Sequence, residues 1–232
     1  MRYQLIFTVI GVLLIGCGGR SDGRAKLSGI TAVAGGDAHS IALMNDGTVW
    51  TWGWNVYGQL GDGTTTNSLA PVQVKGPGGS GQLNGIMAVA GGMHHTIALK
   101  NDGTVWTWGL NALGQLGDGT TTDSPTPVQV VGPGGSGFLT GVIAIAGGYG
   151  HTVALKSDGT VWSWGFNQYG QLGDNTTTSS SMPVQVVGPG GSGFLSAIKA
   201  IACGESHSIA LMNDGIVWAW GAIGVDNWVT ER

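Results

Sequence analysis

From Leu27 onward, apolar and polar positions fall into short runs broken by Gly, Asn and Asp. Ser40-Ile41-Ala42-Leu43 is a compact apolar run, and Thr48-Val49-Trp50-Thr51-Trp52 alternates with the period of a half-buried strand. Between them lies Asn45-Asp46-Gly47, where Asn and Asp tolerate left-handed backbone and Gly adopts positive φ without steric cost. Two such runs around Asp-Gly predict a β-hairpin. Ile30-Thr31-Ala32-Val33-Ala34 predicts a strand before the hairpin. Pro71-Val72-Gln73-Val74 predicts one after it, with Pro at the strand start, where no ladder donor is lost.

The whole pattern recurs. AGGDAHSIALMNDGTVWTWGWNVYGQLGDG from Ala34 returns as AGGMHHTIALKNDGTVWTWGLNALGQLGDG from Ala90 and as AGGYGHTVALKSDGTVWSWGFNQYGQLGDN from Ala146. A fourth copy, ACGESHSIALMNDGIVWAWG, starts at Ala202 and breaks off. His39, His95, His151 and His207 mark an unbroken period of 56 residues. Four short antiparallel strands per period predict one β-propeller blade per repeat. The blades span 27–82, 83–138, 139–194 and, truncated, 195–232. Gly76–Gly81 and its copies at Gly132–Gly137 and Gly188–Gly193 read as flexible crossings between blades. Thr64–Thr66, Thr120–Thr122 and Thr176–Thr178 read as exposed loop. The expected fold is all-β: an incomplete propeller of three full four-stranded blades plus a partial fourth. Closed propellers have roughly four to eight blades, so an open arc is expected.

The run Trp52-Gly53-x-Asn55-x-x-Gly58-Gln59-Leu60-Gly61, with Gly36-x-x-His39-Ser40 upstream, resembles the repeat of the regulator of chromosome condensation family. The resemblance covers Leu27 to about Gly221 and implies a propeller, commonly of seven blades. It does not define a function, because one propeller scaffold serves unrelated tasks.

Composition narrows the partners. Charged residues make up 9% of the chain, Gly numbers 45, and the net charge is -4. Between Ala25 and Glu231 there is no Arg, and the only cations are Lys26, Lys75, Lys100, Lys156 and Lys199. Phosphate backbones are bound by clustered Lys and Arg, so no nucleic acid is expected as a partner.

The first residues form a separate segment. Met1-Arg2-Tyr3-Gln4 carries one positive side chain, and Leu5 to Ile15 is almost wholly apolar. At about 1.5 Å per residue this run is too short to span a bilayer as a helix and reads as a signal peptide over 1–16. Leu14-Ile15-Gly16-Cys17 resembles the lipobox of bacterial lipoproteins. That resemblance implies cleavage before Cys17, a lipid anchor on it, and a polar tether over 17–26. Gly18, in place of Asp, favours the outer membrane over the inner in enteric-type sorting. The expected location is the bacterial cell envelope, with the domain periplasmic or surface-exposed. With Cys17 acylated, Cys203 has no disulfide partner. It occupies the slot of Gly35, Gly91 and Gly147 and reads as inert.

No catalytic constellation is expected. The recurring His39, His95, His151 and His207 read as structural, each half-buried and bonding backbone at a strand start. One per blade is too widely spaced for three or four ligands to converge on one ion. His94 is out of register and expected exposed. Asp46, Asp102, Asp158 and Asp214 are explained by turn chemistry, and Asp62, Asp118 and Asp174 by Gly-rich turns. The chain contains no calcium loop, Gly-x-Ser-x-Gly elbow or P-loop motif, and no cofactor is expected.

The copies differ at two places. One precedes the histidine: Asp37-Ala38, Met93-His94, Tyr149-Gly150 and Glu205-Ser206. The other follows Trp-Gly: Trp54, Val56 and Tyr57; Leu110, Ala112 and Leu113; Phe166, Gln168 and Tyr169. Loops on rigid scaffolds carry recognition, and aromatics are common anchors. Trp54, Tyr57, Met93, His94, Leu110, Tyr149, Phe166 and Tyr169 are therefore the candidate partner-binding residues, although inter-blade packing that tolerates several apolar types would produce the same variation. The expected function is a non-enzymatic protein-binding module. The alternatives are an exchange factor for guanine nucleotides, by analogy with the family, and a truncated fragment of a longer propeller.

After Trp220-Gly221 the chain departs from the repeat. Codons for Val225 to Arg232 can be chosen so that reading from the third base of the Val225 codon spells Gly-Gln-Leu-Gly-Asp-Gly-Thr, the motif due at that position. A single lost base after the Gly221 codon is thus the expected cause, and the gene sequence tests it.

Overall fold

The computed structural model describes residues 27–222 and 229–231. Among these, sixteen strands form four four-stranded antiparallel sheets, each a meander in chain order. Blade 1 comprises β1 (Ile30–Gly35), β2 (His39–Met44), β3 (Val49–Gly53) and β4 (Ser68–Gln73). Blade 2 comprises β5 (Ile86–Gly91), β6 (His95–Lys100), β7 (Val105–Gly109) and β8 (Ser124–Gln129). Blade 3 comprises β9 (Val142–Gly147), β10 (His151–Lys156), β11 (Val161–Gly165) and β12 (Ser180–Gln185). Blade 4 comprises β13 (Ile198–Cys203), β14 (His207–Met212), β15 (Val217–Gly221) and β16 (Val229–Glu231).

The predicted hairpin is present, with Leu43 opposite Val49 and His39 opposite Gly53. Its turn is closed by the Asp46 carboxylate, which accepts from the Thr48 hydroxyl at 2.7 Å and from the Thr48 amide at 2.9 Å. These bonds, the hydroxyl's above all, hold the Asp46 carboxyl below the usual carboxylate range, and Asp102 and Asp158 behave alike beside Thr104 and Thr160.

Two expectations need correction. The fourth strand begins at Ser68, so Pro71 lies inside it. A proline is tolerated there because β4 is the outermost strand of its sheet, where an amide can go unpaired. The Gly-rich crossings are built loops: Lys75 bridges Gln82, the Gly76 amide donates to the Gly81 carbonyl at 3.2 Å, and Pro77–Gly79 forms a 3-10 turn. Blade 4 is partial, as expected: its outermost strand has only three residues against six in the other blades, with Val229 paired to Ala219 and Glu231 to Val217. Residues 223–228, where the chain leaves the repeat, lie outside the described residues, as do the signal segment and Cys17.

The core lies between blades. Ile41, Leu43, Val49 and Val74 of the first blade meet Leu83, Ile86, Ala98 and Trp108 around the second. The same joint forms between blades 2 and 3 and between blades 3 and 4. The joints also carry a polar pin. His39 Nε2 lies 2.9 Å from Thr96 Oγ1, His95 Nε2 3.0 Å from Thr152 Oγ1, and His151 Nε2 3.0 Å from Ser208 Oγ. The Gln59 carbonyl accepts from Thr96 at 2.8 Å and from the Trp108 indole at 2.9 Å. The histidines are therefore structural, but they bond a hydroxyl of the next blade and not backbone. His39, His95 and His151 are also buried rather than half-buried.

Glycine is required beside each pin: a Cβ on Gly36, Gly92, Gly148 or Gly204 would overlap the imidazole three residues later. Among the described residues blade 1 and blade 4 each have a neighbour on one side only, and the blades form an open arc.

Candidate interaction site

Register places both variable stretches at one end of the sheets. Because His39 pairs with Gly53, the turn between β1 and β2 and the loop between β3 and β4 emerge side by side. The Trp54 amide donates to the Ala38 carbonyl at 2.9 Å, and Leu110 and Phe166 bond His94 and Gly150 in the same way. The Asn-Asp-Gly turns leave the opposite end.

The β3–β4 loop is long but tightly organised by one buried side chain. Asn55 Oδ1 accepts the Leu60 amide at 2.8 Å. Its Nδ2 donates to the Thr64 carbonyl at 3.1 Å and the Thr66 carbonyl at 3.0 Å, with Asp62 Oδ1 at 3.3 Å. Asn111 and Asn167 repeat this set. Gln59 Oε1 steadies the turn by accepting the Tyr57 amide at 3.1 Å. The Thr tracts are exposed, as expected, yet their carbonyls are fixed by this asparagine.

The candidate residues separate into two groups. On the rim, Trp54 and Tyr57 stack edge-to-face with centroids 5.3 Å apart, and His94 from the next blade sits 4.6 Å from Trp54 and 5.5 Å from Tyr57. His94 is thus buried, not exposed, because its aromatic neighbours come from the preceding blade. One joint further on, Gly150 takes the position of His94. A Cβ there would touch Phe166 at 3.2 Å and Leu113 at 3.4 Å, so these two side chains flank the same spot. Phe166 in turn stacks edge-to-face on Tyr169 at 6.0 Å. Leu110 begins the equivalent loop of blade 2 and is half-buried. Tyr169 and Val56 stay exposed.

Met93 and Tyr149 do not join the rim. With Asp37 and Glu205 they line a shallow cavity of about 450 Å³ beside the innermost strands. A backbone ladder ties them: the amides of Asp37, Met93 and Tyr149 donate to the carbonyls of Met93, Tyr149 and Glu205 at 3.1, 3.2 and 2.9 Å. Cys203 also borders this cavity, half-buried. Burial pushes its thiol up to about 12, with a weaker opposing effect from Ser208, so at neutral pH it is a thiol and not a nucleophilic thiolate.

The pin histidines are neutral. Burial lowers His39 and His151 to about 4 and His95 to about 3, with neighbouring imidazoles adding to the effect. Among the described residues no three His, Cys, Asp or Glu side chains are grouped to hold a metal ion, and no helix is long and apolar enough to cross a membrane.

Sequence reasoning missed Asn55, Asn111 and Asn167 as organisers of the rim. Their signal was available: a recurring Asn five residues before an invariant-in-chain Leu60, Leu116 or Leu172, inside a loop too long to hold itself.

Comparison with known proteins agrees with this geometry. The Regulator of chromosome condensation (RCC1) repeat matches residues 46–99, 102–155 and 158–211, each stretch running across an inter-blade joint. A second description of the same repeat matches 30–59, 88–115 and 142–171. The ultraviolet-B receptor UVR8 of Arabidopsis thaliana is 36% identical over 192 residues, which are 83% of this chain and 41% of that protein. The E3 ubiquitin-protein ligase HERC2 of Homo sapiens is 36% identical over 179 residues, 77% of this chain and 4% of that protein. Among solved structures, human WBSCR16 superimposes with a TM-score of 0.71 at 27% identity, covering 87% of this chain and 51% of that one. Yeast RCC1 (Prp20), solved with Kap60, gives 0.68 at 25% identity, covering 85% and 45%. The chain spans less than half the length of these two curated relatives. By its three matched repeats, the chain belongs to the regulator of chromosome condensation repeat family.

Proposed function

We propose that this chain is a non-enzymatic, protein-binding propeller module that presents its aromatic rim to a protein partner at the bacterial cell envelope. One observation carries the reading: the positions that vary among otherwise near-identical blades converge on one end of the sheets. There they form packed clusters, Trp54–Tyr57–His94 and Phe166–Tyr169. Loops clamped by Asn55, Asn111 and Asn167 lose little freedom on binding, and rigid aromatic anchors contribute most to recognition. The solved relative described as yeast RCC1 bound to Kap60 supports a protein partner for this kind of scaffold. The few cations argue against nucleic acid, and the module works without a cofactor. In this reading Cys17 carries a lipid that holds the domain on the membrane, the outer one by the identity of Gly18.

The test is a pull-down from envelope extract with the native chain and with a variant carrying Trp54→Ala, Tyr57→Ala, Phe166→Ala and Tyr169→Ala. A protein captured by the native chain and lost by the folded variant supports the rim. Equal capture by both overturns it. Separately, Cys17→Ser should move the chain out of the membrane fraction or block its processing; unchanged processing and fractionation would exclude the anchor.

A further inference from the structure

The aromatic rim carries charge of one sign. It is formed by the turns at 36–38, 92–94, 148–150 and 204–206 and by the loops at 54–67, 110–123 and 166–179. These segments hold six carboxylates, Asp37, Asp62, Asp118, Asp123, Asp174 and Glu205, and no Lys or Arg. Asp37, Asp123 and Glu205 are exposed, and the other three are half-buried. One cation reaches the blade 1 loop from outside these segments, since a Cβ on Gly63 would lie 3.2 Å from Lys75 Nζ. Val131 and Val187 take the place of Lys75 in blades 2 and 3.

The opposite end is balanced. It carries Asp46, Asp102, Asp158 and Asp214, but Lys100 Nζ lies 3.6 Å from Asp102 and Lys156 Nζ 3.4 Å from Asp158. Lys199 Nζ donates to the Asn213 carbonyl at 3.4 Å. Uncompensated acidity is therefore concentrated at the end that bears the variable aromatic side chains.

Carboxylates and rings share the same loops. Asp118 Oδ1 accepts from Asn111 Nδ2 at 3.1 Å, and Asp123 Oδ1 accepts the Asn111 amide at 2.7 Å, so two carboxylates flank one residue of the blade 2 loop. Asp174 Oδ1 accepts from Asn167 Nδ2 at 3.1 Å, in the loop that carries Phe166 and the exposed Tyr169. These neutral donors position the carboxylates without cancelling their charge. Further in, Asp37 and Glu205 are the charged residues lining the shallow cavity, together with Met93 and the exposed Tyr149.

We propose that the rim takes a cationic partner: a protein segment presenting Lys or Arg side chains to the carboxylates of blades 2 and 3 and to the rings beside them. The proposal rests on the rim being a protein-binding surface and supplies the chemistry of what binds there. Lys and Arg suit both parts of this surface. Their aliphatic stems cover apolar side chains, their charged heads are attracted to aromatic faces, and Arg pairs with carboxylates through two parallel hydrogen bonds. A neutral segment would use the rings alone, and an acidic one would be repelled.

The experiment selects a displayed library of random short peptides on the full chain in detergent and measures the most enriched peptide, made synthetically, against three variants. The first neutralises the rim with Asp37→Asn, Asp118→Asn, Asp123→Asn and Glu205→Gln. Each amide keeps an acceptor oxygen, and Asn67 already fills the place of Asp123 in blade 1. The second removes the same charge from the opposite end with Asp46→Asn, Asp102→Asn, Asp158→Asn and Asp214→Asn. The third carries Trp54→Ala, Tyr57→Ala, Phe166→Ala and Tyr169→Ala. Urea unfolding confirms that each variant is folded. The native chain is expected to enrich peptides rich in Lys and Arg, whose affinity falls as salt rises. The first variant is expected to bind the peptide about fivefold more weakly or worse, and the second as the native chain does. Without any variant, changing every Lys and Arg of the peptide to Gln is expected to abolish binding. Enrichment of neutral or acidic peptides, or of none, overturns the proposal. So does a basic peptide that binds the first variant undiminished, loses as much on the second, or survives its own conversion to Gln. Neutral peptides lost by the third variant would overturn the cationic partner while leaving the aromatic rim in place. Basic peptides lost by the first variant and held undiminished by the third would overturn the aromatic reading on which the proposal rests.

Discussion

His39 Nε2 and Thr96 Oγ1, 57 residues apart and in different blades, are 2.9 Å from each other, and both side chains are buried. The geometry assigns the protons. The Thr96 hydroxyl donates its one hydrogen to the Gln59 carbonyl, so it can only accept from the imidazole. His39 therefore carries its proton on Nε2, and Nδ1 is left bare; it has no hydrogen-bond partner, nor do Nδ1 of His95 and His151. A cationic imidazole would need a second acceptor in each joint.

Acid should therefore open the joints. The three histidines have folded-state values depressed to about 4, 3 and 4, against about 6.5 in the unfolded chain. Between those limits the unfolded state binds more protons, so stability falls as pH falls, by about 1.4 kcal/mol per pH unit for each histidine. Full stability is present above about pH 6.5. Loss through Asp46, Asp102 and Asp158, whose folded values are lowered, belongs to a lower pH range. Urea unfolding at pH 7.5, 6 and 5 should show a steep decline, made shallower by His95→Gln. A flat profile over this range would remove the assigned neutral tautomers.

Gly92→Ala should destabilise far more than Gly35→Ala. A Cβ on Gly92 overlaps the His95 imidazole, which is locked by its bond to Thr152, while a Cβ on Gly35 meets nothing within 4 Å. Overpacking of this kind costs about 1–3 kcal/mol, and Gly35→Ala should be neutral or slightly stabilising through the unfolded state. Chemical denaturation of the two variants at low protein concentration is the comparison.

Asn111→Ala should unlock a rim loop. Its side chain bonds the Leu116 amide and the carbonyls of Thr120 and Thr122, all with no direct substitute. Leaving those groups unpaired costs on the order of 1–3 kcal/mol each where they are buried. Hydrogen exchange at the Leu116 amide should rise well before global unfolding, and partner capture should weaken with it. If that amide stays protected, the clamp is not what holds the loop.

These cases show which parts of the structure are legible in the chain. Strand positions and blade number follow from local alternation and from the 56-residue period, because a strand's burial pattern is written in its own residues. The joint partners are not local. In the sequence Thr96 is only a Ser or Thr that follows the histidine in every copy, and nothing local marks it as serving the previous blade. The burial of His94 is not local for the same reason: the rings that bury it, Trp54 and Tyr57, lie in the preceding repeat. The place of Pro71 inside a strand is likewise not written locally, because the outermost position of β4, which tolerates it, is a property of sheet order. On the rim the variable residues were identifiable, but not their division into an outer aromatic group and an inner pair, Met93 and Tyr149, beside the cavity.

Trp52 and Trp108 hold the same place in the repeat but have different surroundings. Trp108 is 0% exposed, packs in the first joint, and donates its indole hydrogen to the Gln59 carbonyl at 2.9 Å. Trp52 opens the same motif in blade 1, has no blade before it among the described residues, and is partly exposed. Trp108→Phe removes a buried donor and leaves a gap beside Gly61, whose Cβ position lies 2.6 Å from the indole nitrogen. The lost hydrogen bond and the cavity together should cost about 2–4 kcal/mol. Trp52→Phe in the single molecule should cost well under about 1 kcal/mol, as expected for a substitution away from the core. Urea unfolding separates the two variants: Trp108→Phe should lower the midpoint well below that of Trp52→Phe. Equal loss from both at low concentration would mean that blade 1 is already covered within one molecule, and the open arc would have to be closed by some other segment.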